Sequence, residues 1–221
     1  MNRLPPVEIK VWGDLACFTR PEMHVERVTY PVMTPSAARG VLEAIFWRPE
    51  MRWQVEEIHV LKPIQYFSIR RNEVQHRQTE GAARGWQRAG GIGGFDVSED
   101  RTQRHTMALR DVAYVIRAQI EVLPDVEEDV AKYRDQFRRR VRGGRCFATP
   151  YLGCREFSAF FSEPVPRETP VALDGDLGRM LLRMEYAADG SGHAIPEFFD
   201  ARLEQGVLHV PAGVSATVGE A

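Results

Sequence analysis

Between Pro124 and Gly144 the sequence PDVEEDVAKYRDQFRRRVRGG reads as one complete amphipathic helix, so the rest of the chain must supply a partner for its apolar face. Val126, Val130, Tyr133, Phe137 and Val141 recur at helical spacing and define a buried stripe. Asp125 serves as N-cap, Glu128 three residues on completes a capping box, and Gly143 offers a left-handed stop. Glu127, Glu128 and Asp129 occupy the first turns while Arg138, Arg139, Arg140 and Arg142 occupy the last, which matches the helix macrodipole. The cationic end runs into Gly143, Gly144 and Arg145, placing several guanidinium groups beside a backbone that can approach a large polyanion closely. A phosphate backbone suits such a surface.

The net charge of −2 conceals an uneven distribution. Residues 1–164 carry 25 basic against 22 acidic side chains, and residues 165–221 carry 4 against 9. Of the basic residues 26 are Arg and only Lys10, Lys62 and Lys132 are Lys. An Arg bias arises either from a GC-rich genome or from selection for bidentate phosphate recognition, and it makes any lysine conspicuous. Cys17, Cys146 and Cys154 are an odd set without CxxC spacing, so neither a disulfide framework nor a structural zinc site is expected. The carboxylates of 127–129 are explained by dipole compensation, and no metal site or cofactor is expected. No apolar run approaches the ~20 residues of a membrane span, and residues 1–6 lack the regions of a signal peptide; a soluble cytoplasmic protein is expected.

Taken in order, Val7–Trp12 alternates as a first strand, Thr34-Pro35 starts a helix over 36–47 with Val41, Leu42, Ile45 and Phe46 inward, and Trp53–Leu61 forms a second strand. Residues 65–106 lack a regular core pattern and are read as a hairpin insertion; their glycine cluster, AGGIGGF, fits neither the dinucleotide nor the P-loop pattern. Met107–Val122 is a long strand, the basic helix follows, and 147–161 gives a turn and a fourth strand. The order is therefore that of an α+β, ferredoxin-like βαββαβ domain of the kind found in RNA-recognition modules, over residues 1–164. Prolines 164, 166 and 170 mark a boundary, beyond which Met180–Tyr186, Phe198–Leu203 and Val207–Val210 predict a small antiparallel sheet over 165–221.

The tracts VWGDLACFTRPE (11–22), YPVMTPSAARGVLEAIFWRP (30–49), VLKPIQ (60–65), HTMALRDVAYVIRAQIEV (105–122) and GGRCFATPYLGCREFSAFF (143–161) together resemble CRISPR-associated protein family five, subtype d, of type I-C systems. The resemblance implies an RNA-recognition-like fold and a metal-independent endoribonuclease that cuts precursor CRISPR RNA near the base of the repeat hairpin. It also implies retention of the 5′ handle as a subunit of the interference complex, with possible DNA binding. In that chemistry a ribose 2′-hydroxyl attacks the neighbouring phosphate, assisted by proton transfer and by charge stabilisation at the phosphorane. The family's tyrosine at the end of the first helix corresponds here to Phe46, and its lysine-histidine pair to Lys132-Tyr133. Lys132 is thereby assigned electrostatic stabilisation, Tyr133 proton transfer or orientation, and His105 a place as an additional base. RNA binding is assigned to Phe46, as a stacking ring, and to Arg39, Arg138, Arg139, Arg142 and Arg145, with Arg70, Arg71 and Arg77 as lesser candidates and His24 a weaker catalytic one. Two other readings stay open: a non-catalytic RNA-binding subunit of the same complex, and a ferredoxin-like protein acting on a small metabolite.

Overall fold

The computed structural model describes residues 4–23, 25–76, 78–91, 93–94, 96–124, 129–186 and 194–212. In chain order it runs β1 (Val7–Ala16), β2 (Arg27–Val28), α1 (Pro35–Ile45), β3 (Met51–Val60), β4 (Tyr66–Val74), α2 (Glu80–Arg88), β5 (Arg101–Val122), α3 (Val130–Arg142), β6 (Phe160–Ser162), β7 (Gly175–Tyr186), β8 (Ala194–Glu204) and β9 (Val207–His209). Among the described residues the strands form one mixed sheet in the order β6-β1-β5-β3-β9-β8-β7, with β2 and β4 also paired to β5. Both β1 and β3 are antiparallel to β5, and β6 is antiparallel to β1.

The register aligns Ile9, Ile116 and Ile58 across three strands, and alternation places Val7, Val11 and Ala118 on the same face. All six are buried, together with Val41, Leu42 and Ile45 of α1 and Tyr133, Phe137 and Val141 of α3, so the two helices cover this face as one core. Trp53 packs edge-on against Phe137 at 4.8 Å and locks α3 to the start of β3. On the opposite face Trp12 stacks on Phe160 at 6.0 Å, and Lys10 pairs with Glu168 from the segment that follows β6.

The N-terminus of α1 forms as its residues dictate: the Thr34 side chain accepts the Ala37 N–H at 3.2 Å and Pro35 takes the first helical position. At α3 the ends differ from expectation. The helix begins at Val130 with Asp129 as N-cap, its Oδ1 accepting the Ala131 N–H at 3.0 Å; the predicted Asp125 cap and Glu128 capping box lie outside the described residues. Gly143 has a φ of −87°, and the left-handed residue is Gly144 at φ +60°. The tract 147–161 is almost wholly loop, with a strand only over its last two residues and Ser162. Conversely, 65–106 is more regular than its composition suggests: β4 and the first part of β5 pair from Tyr66↔Leu109 to Val74↔Arg101, and α2 lies between them. Asp111, at φ +52°, sits where β5 passes from β4 to its inner partners. The strands beyond residue 164 form an antiparallel meander whose last member continues the main sheet, Glu57↔His209 through His59↔Val207.

Candidate functional site

The end of α1 and the inner side of α3 meet around Phe46. Its backbone N–H donates to Leu42 O, its carbonyl accepts from Trp53 Nε1 at 2.8 Å, and its ring lies 6.4 Å from that of Tyr133. Arg140 covers the ring at 5.4 Å and is held there by a 3.0 Å bond from its Nη1 to Ile45 O, while Arg48 stands over it at 6.0 Å. Phe46 is only 1% exposed, which corrects its assignment as a stacking platform: the ring is a wall of the core and presents no face to a base. Trp47, the next residue, is 53% exposed, because the chain leaves the helix at Phe46 in an extended conformation and consecutive side chains then alternate.

Lys132 and Tyr133 are about 100° apart on the helix, which sends them into different environments. The lysine is exposed; the tyrosine ring is 3% exposed and its hydroxyl donates to Glu50 Oε1 at 3.0 Å. Glu50 is half-buried, so the phenol is tied to a carboxylate that solvent reaches. Sequence reasoning missed Glu50, since it sits in a turn after Pro49 with no periodic signal.

Arg138, Arg139, Arg142 and Arg145 are all exposed along the cationic end, and Arg142 Nε pairs with Glu163 Oε1 at 2.8 Å. The N–H groups of Phe147 and Ala148 both donate to Ala44 O, pinning the loop after α3 to the end of α1. This leaves Phe147 84% exposed beside the arginines. Arg134 was also missed. It falls on the same ridge as Arg138 and Arg142 by four-residue spacing, yet it is 4% exposed and its buried Nη1 has no partner. Burial, and then the neighbouring Arg138, hold its pKa below the ordinary guanidinium value.

Three predicted residues stand on other elements of the fold. His105 is exposed on the β4–β5 hairpin opposite Arg70, separated by roughly 50 Å of strand, at ~3.3 Å per residue, from Ile120, whose cross-strand partner Trp53 contacts α3. Arg39 pairs with Glu43 at 2.7 Å and lines a cleft of about 360 Å³ between α1, β3 and β7, together with Arg52, Arg183 and Glu121; no residue of α3 lines it. Arg71 contacts Glu156 and covers the Phe157 ring at 5.3 Å, a hairpin-to-loop contact. Arg77 and His24 lie outside the described residues. Among the described residues no group of three or more His, Cys, Asp or Glu is placed to hold a metal, and no helix is long and apolar enough to cross a membrane.

Against known proteins, the model of a family described as CRISPR-associated protein (Cas_Cas5) matches residues 7–211. A protein of Thermus thermophilus named CRISPR pre-crRNA endoribonuclease Cas5d is 42% identical, with 93% of this chain and 91% of that protein covered. One of Mannheimia succiniciproducens with the same name is 40% identical over 93% and 94%. Among solved structures, a crystal structure of a CRISPR-associated protein superposes with a TM-score of 0.67 at 21% identity over 96% of this chain and 94% of that one. A functionally uncharacterized protein from Streptococcus mutans does so with 0.63 at 18% over 92% and 91%. The fold is thus shared at low identity, and with two relatives above 40% or at it over nine-tenths of their length the chain is a member of the Cas5d family of CRISPR-associated proteins.

Proposed function

We propose that this chain is an endoribonuclease that cleaves precursor CRISPR RNA at the repeat hairpin and stays on the 5′ handle as a subunit of the interference complex. The observation that carries it is the 40–42% identity, over nine-tenths of both chains, to proteins named for that activity. We read β1, α1, β3, β5, α3 and β6 as the ferredoxin-like βαββαβ unit; their order in the sheet, β6-β1-β5-β3, supports that reading. Residues 1–164 are taken as the RNA-binding and catalytic domain, with a hairpin insertion at about 65–106, and residues 165–221 as a small antiparallel β domain.

The reaction is displacement at phosphorus: the 2′-oxygen forms a bond to the adjacent phosphate, the bond to the 5′-oxygen breaks, and a 2′,3′-cyclic phosphate and a 5′-hydroxyl result. It needs one proton taken from the 2′-hydroxyl, one given to the 5′-oxygen, and positive charge beside the phosphorane. Lys132, exposed on α3, supplies the charge. The Glu50 carboxylate, oriented by the Tyr133 hydroxyl, is placed to accept the nucleophile's proton, which makes Tyr133 a positioning residue. Trp47 and Phe147 offer the exposed aromatic faces, and Arg138, Arg139, Arg142 and Arg145 the phosphate contacts.

Labelled repeat RNA incubated with the purified protein in EDTA tests this. A defined 5′-hydroxyl product supports the nuclease. A shifted but intact band supports instead a purely RNA-binding subunit, the reading that the burial of Phe46 and Tyr133 favours. Absence of binding overturns both.

A further inference from the structure

The loop that follows α3 returns to the end of β1 through a contact that needs glycine. Gly153 has a φ of +84°, and a Cβ there would lie 2.0 Å from the Cys17 carbonyl oxygen. The Cys17 N–H donates to Leu152 O at 3.0 Å. This close approach brings together two thiols 137 residues apart in the chain: Cys154 Sγ lies 3.5 Å from Cys17 O, and Thr19 Oγ1 lies 3.6 Å from Cys17 Sγ and 3.8 Å from Cys154 Sγ. Cys17 is fully buried, whereas Cys154 is partly exposed, so a small solute meets Cys154 first. The hydrogen bond with Cys17 brings Cys154 down to about 6, and the same bond, with burial, holds Cys17 far above the ordinary thiol range. Of the two thiols Cys154 therefore loses its proton first, from the Sγ that donates to Cys17 O, and it is the one on the accessible side.

We propose that Cys17 and Cys154 form a peroxide-responsive dithiol, a modification site whose oxidation closes a disulfide between the turn at 152–154 and the end of β1. The Cys154 thiolate attacks one peroxide oxygen; an S–O bond forms, the O–O bond breaks, and the departing hydroxide leaves as water on taking a solvent proton. Cys17 sulfur then attacks Cys154 sulfur; the S–S bond forms, the S–O bond breaks, and hydroxide leaves as water with the Cys17 proton. Two thiols are oxidised and one peroxide is reduced to two waters. The proton comes from Cys17, and the Thr19 hydroxyl between the sulfurs keeps them in register.

The test uses the full chain carrying Cys146→Ser, which removes the exposed third thiol. After hydrogen peroxide, the thiols alkylated under denaturing conditions should fall from two to none. Non-reducing peptide mapping should join the Cys17 and Cys154 peptides with loss of two hydrogens, and dithiothreitol should restore both. Survival of both thiols, or oxygen added at Cys154 without a cross-link, overturns the proposal. In the Cys146→Ser, Cys154→Ser double variant, Cys17 should react far more slowly; oxidation of Cys17 at an unchanged rate equally overturns it.

Discussion

Lys132 and Tyr133 are neighbours whose side chains have different fates, and their substitutions should separate accordingly. Lys132→Ala should lower the single-turnover cleavage rate by about 100-fold or more, as expected for removal of one charge at the transition state, while RNA affinity measured by filter binding stays within a few-fold. Tyr133→Phe keeps the packed ring and deletes the hydroxyl with its bond to Glu50, so a slowed rate at unchanged melting temperature identifies a positioning role; an unchanged rate leaves the tyrosine as core alone. Arg134 offers the converse test. A buried guanidinium with an unpartnered nitrogen contributes little to stability, so Arg134→Met should leave the protein equally stable or stabilise it by up to about 2 kcal/mol in urea denaturation. If RNA affinity drops at the same time, the residue is kept for its ligand.

At the scale of the element, α3 is a helix whose cationic end serves binding and whose apolar stripe serves folding. Replacing Arg138 and Arg142 together with Gln should weaken repeat RNA binding and flatten the dependence of log Kd on log salt by roughly 1.4, at ~0.7 per phosphate contact on a single strand. An unchanged slope would take this ridge off the RNA. Because Arg142 is tied to Glu163, Glu163→Gln should have the opposite sign and tighten binding at low salt. The apolar stripe from Val130 to Val141 and the arginine run were legible from spacing alone, because helical periodicity is a local property. The first turn was not legible in the same way: Asp129, read from the sequence as a charge that compensates the dipole, caps the described helix by accepting the Ala131 N–H. Likewise Gly143 and Gly144 could not be told apart until their backbone angles were known.

For the whole molecule, the seam between the C-terminal meander and the main sheet is polar at Glu57. Burial raises the pKa of this carboxyl, but its hydrogen bonds to His59 and Arg117 outweigh that and hold it below the ordinary value of 4.5; His209 of β9 stands 3.8 Å away. A carboxylate with a depressed folded pKa contributes stability above its unfolded pKa and loses it as pH falls through the folded one. The melting temperature should therefore decline below about pH 4.5, and Glu57→Gln should flatten that decline. The two helices that cover the core, the buried faces of β1 and β5 and the basic end of α3 follow from residue spacing, since each depends on contacts within a few positions of the chain, whereas β4 and α2 within 65–106 do not. Which residues share a site does not follow from it. Lys132 lies on α3, whereas the 22-residue β5 puts His105 on its hairpin with β4, opposite Arg70. Conversely Glu50 reaches Tyr133, and Cys17 reaches Cys154, only because the sheet closes loops of many residues, and packing at the closure determines which side chains meet.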